Sequence, residues 1–110
     1  MNLPTLKDNQ YCLEGGEGFQ RKYPNSFFIP SLKKRNNIVT GNYVMLIFKM
    51  TVIDDEIDYS IERMWVLVKE RVKDFYLGTL NNDPCCLVHI KCGDDVVFKA
   101  DHIIKITDGK

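Results

Sequence analysis

Tyr43-Val44-Met45-Leu46-Ile47-Phe48-Lys49-Met50-Thr51-Val52 decides the fold class of this chain. The stretch is rich in branched and aromatic side chains and holds no proline, so it reads as a strand. Downstream, Met64-Trp65-Val66-Leu67-Val68 reads as a second strand, extended by Lys69-Glu70-Arg71-Val72. A turn at Lys73-Asp74 leads into Phe75-Tyr76-Leu77-Gly78-Thr79-Leu80, so residues 64–80 form a hairpin. Asn81-Asn82-Asp83-Pro84 is a dense turn cluster whose side chains can bond nearby backbone. Residues 85–91 fit either a short helical turn or an irregular crossing. Gly93-Asp94-Asp95 turns into the strand Val96-Val97-Phe98-Lys99-Ala100, and a bend at Asp101-His102 precedes Ile103-Ile104-Lys105-Ile106. No segment keeps an apolar helical period for ten residues.

Upstream of the first strand the signals weaken. Tyr23-Pro24-Asn25-Ser26-Phe27-Phe28-Ile29-Pro30 is extended, because each proline pushes its predecessor away from helical angles. Residues 1–22 are polar and hold Gly15-Gly16-Glu17-Gly18, which reads as an N-terminal extension ahead of a single β-rich domain at 23–110. Gly41-Asn42-Tyr43-Val44 is echoed by Gly93-Asp94-Asp95-Val96, two turn-to-strand starts of one form. Two such starts flanking a hairpin fit a mainly β fold. The expectation is a small five-stranded SH3-like barrel with an extended N-terminal arm; the alternative is an open antiparallel sheet, α+β.

The 110 residues are 45% apolar and 27% charged, which suits one globular domain. Fifteen basic residues balance fifteen acidic ones, so the basic excess typical of a nucleic-acid binder is missing. The charges are nonetheless segregated. Residues 19–53 carry only positive ones (Arg21, Lys22, Lys33, Lys34, Arg35, Lys49), and residues 54–62 only negative ones (Asp54, Asp55, Glu56, Asp58, Glu62). Opposed patches of this kind can steer complementary partners.

Glu62-Arg63-Met64-Trp65-Val66, Gly78-x-Leu80-x-Asn82-Asp83-Pro84, Gly93-Asp94-x-Val96-x-Phe98 and His102-Ile103-Ile104 follow one another along the chain. Together with Tyr23-Pro24, Phe27, Ile29-Pro30-Ser31 and Arg35, they resemble a family of small bacterial proteins catalogued as a domain of unknown function, number two-three-one-four. The resemblance covers residues 23–106. It implies a bacterial origin, a compact β-rich domain and no established catalytic activity. Related small domains are associated with immunity proteins that neutralise the toxins of neighbouring cells. No catalytic residue carries over.

The ligand-like residues form no complete site. Cys86-x2-His89-x2-Cys92, with Cys85 adjacent, lacks the second Cys-x2-Cys pair that a zinc site commonly uses. These cysteines therefore read as small apolar side chains at strand ends plus one exposed thiol, with neither metal nor cofactor expected. No signature of a cysteine nucleophile, serine elbow or phosphate loop surrounds any candidate. The acidic stretch at 54–58 lacks the order of a calcium loop and reads as a solvated loop.

On alternation, Met64, Val66 and Val68 make the core face of the second strand, while Trp65 lies opposite, either packed beneath the Phe27-Phe28 arm or exposed as a binding residue. The sequence thus points to a non-catalytic protein-binding domain, an immunity factor in its most specific form. Its expected surface joins Asp54, Asp55, Glu56 and Asp58 to Asn82 and Asp83, with Arg63 and Trp65 at the edge. The alternative is a nucleic-acid or ribosome-associated SH3-like module using Arg21, Lys22, Lys33, Lys34 and Arg35. With no secretory pattern at the N-terminus and apolar runs far short of a membrane helix, the expected location is the cytoplasm, with no membrane partner.

Overall fold

A computed structural model of the chain describes residues 1–53 and 55–108, with residues 55–57 described by their backbone alone. The strand that opened the reading is β2, Tyr43–Val52. It folds back through a turn at Ile53 onto the long strand β3, Asp55–Val72. The two pair antiparallel from Tyr43↔Leu67 to Thr51↔Tyr59, with a register shift beyond Thr51. Lys73 takes a left-handed φ of 56° in the turn to β4, Phe75–Leu80, which pairs with Val66 to Val72 of β3. The expected hairpin is therefore present. β5, Asp95–Phe98, adds to β4.

The other edge of β2 is shared end to end by two short strands. β6, Lys105–Thr107, pairs with Tyr43 to Met45, and β1, Tyr11–Glu14, pairs with Ile47 to Met50. The path β1-β2-β3-β4-β5 is antiparallel throughout. The fold is mainly β, as expected. Its sheet curls into a half-barrel and stays open, since β1 and β5 stand at opposite ends of the path.

The core fills the concave side. Val44, Leu46, Phe48 and Met50 of β2 alternate inward to meet Met64, Val66 and Val68, and Tyr76, Leu80, Val96, Phe98 and Ile103 join them, with Tyr11, Ile38 and Ile90 also in the cluster. This alternation is the period of a strand with one face on the core. Gly41 and Gly93 both take φ near the left-handed region, +96° and +97°. Only glycine adopts that conformation cheaply, which explains why both turn-to-strand starts begin with one.

Two parts of the chain depart from the sequence reading. Residues 55–58, expected as a solvated loop, are the first turn-side residues of β3. Asp55 pairs with Val52 across the register shift, so backbone pairing takes the stretch into the strand whatever its charge. Residues 1–22, expected as an extension, contribute a strand and two short helices: α1, Leu6–Asn9, and α2, Gly16–Lys22. Tyr11 of β1 lies in the core against Phe48. A third short helix, α3, Leu32–Arg35, is capped by the Ser31 hydroxyl, which accepts from the Lys34 N–H.

Candidate functional site

β3 is longer than either neighbour, and the mismatch creates the most distinctive surface. β4 pairs with it only from Val66 onward, while β2 continues to Thr51↔Tyr59. Trp65 is where the change occurs. Its N–H donates to Asn82 Oδ1, and its carbonyl accepts from Asn81 N–H at 2.9 Å. A side chain thus replaces the strand partner at the point where β4 gives out. Odd-numbered residues of β3 direct their backbone groups away from β2, as Trp65 does, whereas Val68 bonds residues 41 and 42 on the β2 side. The N–H and C=O of Tyr59, Ile61 and Arg63 therefore point to an edge that no other strand covers among the described residues.

The same three residues share one face. Tyr59 is 48% and Ile61 61% exposed, and Arg63 is exposed beside them. Across the ladder, Lys49 Nζ lies 4.6 Å from the centre of the Tyr59 ring, and the Arg63 guanidinium lies 5.3 Å from that of Phe27. The edge therefore carries a row of aromatic, aliphatic and cationic groups beside open hydrogen-bonding positions.

The residues singled out in the sequence divide around this edge. Arg63 and half-buried Trp65 lie on the Tyr59 face, whereas Asp58 is exposed on the opposite face with Ser60 and Glu62. Asp54 lies outside the described residues, as do the side chains of Asp55 and Glu56. Glu62 accepts from the Cys85 N–H at 3.1 and 3.2 Å, and Ser60 Oγ lies 3.5 Å from Cys86 Sγ. These contacts tether the 82–88 crossing to β3 before Val88 bridges Val52. Asn82 is occupied in holding Trp65, and Asp83 is exposed. Of the expected cover over Trp65, Phe27 meets Arg63 instead and Phe28 is 72% exposed. Tyr59, Ile61 and Lys49 are not among the binding residues expected from the sequence, although Tyr59, Ile61, Arg63 and Trp65 continue the strand period backwards from Leu67.

The basic stretch is split by burial. Lys33 and Lys34 are exposed, but Arg35 is only 5% exposed. Its guanidinium donates to Glu17 Oε2 at 2.7 Å, to the Pro30 carbonyl at 2.8 Å and to the Ala100 carbonyl at 3.1 Å. This corrects the alternative basic surface, because Arg35 is committed to the interior.

Beside it, His102 is 7% exposed at the end of a 3-10 turn, Ala100–His102. Its Nδ1 accepts the Lys99 N–H at 3.0 Å, which requires an unprotonated Nδ1. Burial lowers its pKa from 6.5; Asp101, whose carboxylate lies 3.9 Å from Nε2, opposes the shift, and Lys99 reinforces it. Below pH 6.5 the unfolded chain takes up a proton that the folded imidazole resists, so stability falls with pH in that window and is insensitive to this group above it. Urea midpoints measured between pH 7.5 and 5.5 are expected to fall less steeply for His102→Gln than for the parent. Equal slopes refute the assignment.

The cysteines differ from expectation: Cys85, Cys86 and Cys92 are all exposed, and Cys12 is half-buried. The hydrogen bond to Glu62, with that carboxylate's charge, pushes the Cys85 thiol up, which suppresses its thiolate. Among the described residues no group of three His, Cys, Asp or Glu side chains is placed to hold a metal ion, and no helix is long and apolar enough to cross a membrane.

No curated protein and no solved structure matches the chain. A family model does, over residues 20–107, and the matched region takes in β2 through β6, the buried Arg35 and the whole open edge. The chain belongs to the family described as an uncharacterized protein conserved in bacteria, DUF2314.

Proposed function

We propose that this protein is a non-catalytic binding domain that takes an extended segment of a protein partner onto the open edge of β3. The unpaired run at Tyr59, Ile61 and Arg63 carries the reading. In strand addition, main-chain hydrogen bonds supply affinity and alternate side chains supply specificity, and this edge offers both. The acidic side chains Asp58 and Asp83 flank it and favour a partner with basic groups beside the docked segment.

Toxin immunity is the specific form of this role, since an immunity factor acts by covering a surface and needs no chemistry of its own. The raised Cys85 pKa supports a non-catalytic reading, and four free thiols suit the reducing bacterial cytoplasm.

Ile61→Pro tests the proposal. The outward N–H of Ile61 is not used within the sheet, so proline there removes a docking bond and leaves the fold intact. A tagged pull-down from the host, with and without nuclease, is expected to give one stoichiometric protein that resists nuclease. That protein is lost with Ile61→Pro and retained when Lys33 and Lys34 are both changed to Ala. Circular dichroism should match the parent for both variants. Capture that survives Ile61→Pro, or that vanishes with nuclease, overturns the reading.

A further inference from the structure

We infer that the purified protein pairs this edge with the same edge of a second copy, forming an antiparallel two-fold dimer centred on Ile61. The inference rests on the reading of the edge as a docking site and names what occupies it when no other partner is bound.

Backbone direction limits the registers. Only odd-numbered residues of this stretch present outward N–H and C=O groups, so odd must meet odd, and the two-fold axis must pass through a residue. Charge then selects among the centres. An axis at residue 60 sets Asp58 against the partner's Glu62, one at 62 opposes the two Glu62 side chains, and one at 63 opposes the two Arg63 side chains. Like charges directly across a strand pair are destabilising. An axis at 59 would need the pairing to run on past Tyr59, where the ladder with β2 shifts register and the regular edge ends.

An axis at Ile61 avoids every such clash. Ile61 meets the partner's Ile61, which covers two aliphatic side chains that are each 61% exposed in the single chain. Tyr59 meets the partner's Arg63 on both sides of the axis, a cation on an aromatic face, while Glu62 meets the partner's Ser60. The pairing also ends where it must, because the next outward groups belong to Trp65 and are already taken by Asn81 and Asn82. Acidic residues that look like a deterrent to edge pairing thus act as register selectors. The paired stretch is short, so association is weak and concentration-dependent.

Sedimentation equilibrium of the full chain under reducing conditions tests this. The parent is expected to pass from 12.8 kDa towards twice that mass as concentration rises. Ile61→Lys, which opposes two cations at the axis and removes the covered aliphatic pair, should weaken association about tenfold, with unchanged circular dichroism.

Register is read separately. Ile61→Cys should be linked to itself between copies on mild oxidation, because hydrogen-bonded pairs stand about 5.5 Å apart, within disulfide reach. Peptide mapping separates that link from any made by the native thiols. Asp58→Cys should give no self-link. A parent that stays monomeric, a dimer indifferent to Ile61→Lys, or self-linking at 58 without self-linking at 61 overturns the inference. If the parent is monomeric while Ile61→Pro still abolishes host-protein capture, self-pairing falls and the docking role stands. If both fail, the edge has neither role.

Discussion

Arg35→Met should be among the most damaging single changes in the chain, lowering unfolding free energy by about 3 kcal/mol, near the lower end for breaking a buried ion pair. The side chain is 5% exposed and binds three acceptors on separate parts of the fold: Glu17 in α2, the Pro30 carbonyl before α3, and the Ala100 carbonyl in the turn before β6. Its own carbonyl accepts the hydroxyl of buried Tyr76 at 3.2 Å. Methionine keeps the apolar stem but leaves two carbonyls without their donor. Glu17 softens the loss, because its side chain is 35% exposed and can return to water. Arg35→Lys should fall between, since an ammonium cannot reach all three acceptors with the planar fork of a guanidinium. Urea unfolding measures the series. A midpoint for Arg35→Met within error of the parent would mean the cluster contributes nothing.

Arg35 also shows where sequence reading stops. Lys33, Lys34 and Arg35 are three successive cations, and nothing local separates them. The carboxylate and one of the two carbonyls that bury the third come from Glu17 and Ala100, one far upstream and the other far downstream. Strand period, by contrast, is local. It placed Val44, Met64, Val66 and Val68 on the core face because period-2 alternation with one face covered leaves a strong mark. β1 escaped because Tyr11–Glu14 is only four residues long and takes its stability from pairing with β2.

The candidate site was half legible for a related reason. Arg63 and Trp65 stood out by residue type, and the turn at Asn82 and Asp83 by composition. What makes the region an edge is that β4 stops pairing at Val66 while β2 runs on. Strand length mismatch is a property of three segments together, and no single stretch displays it. Charge alone makes the acidic run look like a loop, whereas the backbone of residues 55–58 belongs to β3. Residue type therefore located the region, and topology assigned it a different kind of surface: a line of main-chain groups rather than an acidic loop.

Gly78→Ala should cost about 3 kcal/mol, at the upper end for overpacking by one small group. Gly78 occupies an inward position of β4 between Tyr76 and Leu80 and pairs with Val68 of β3, next to a register shift. A Cβ there overlaps Val66 Cγ1 and stands 2.7 Å from the Leu67 carbonyl oxygen. Val66 is fully buried, so its methyl has no space to rotate into, and the carbonyl belongs to the backbone of the paired strand. Relief therefore requires β3 and β4 to separate beside the register shift, and glycine in a strand marks such a close approach. Gly18→Ala is the matched control. Gly18 lies in α2 with nothing within 4 Å of an added Cβ, and alanine in a helix gains about 0.5 to 1 kcal/mol over glycine. Thermal midpoints should move in opposite directions for the two variants. Because the shift at Gly78 lies in the β3–β4 ladder, its amide exchange should rise across Val66 to Val72 and leave the β1–β2 pairing unchanged. A Gly78→Ala protein as stable as the parent would show that the strands part without cost and that this close approach does not constrain the β3–β4 ladder.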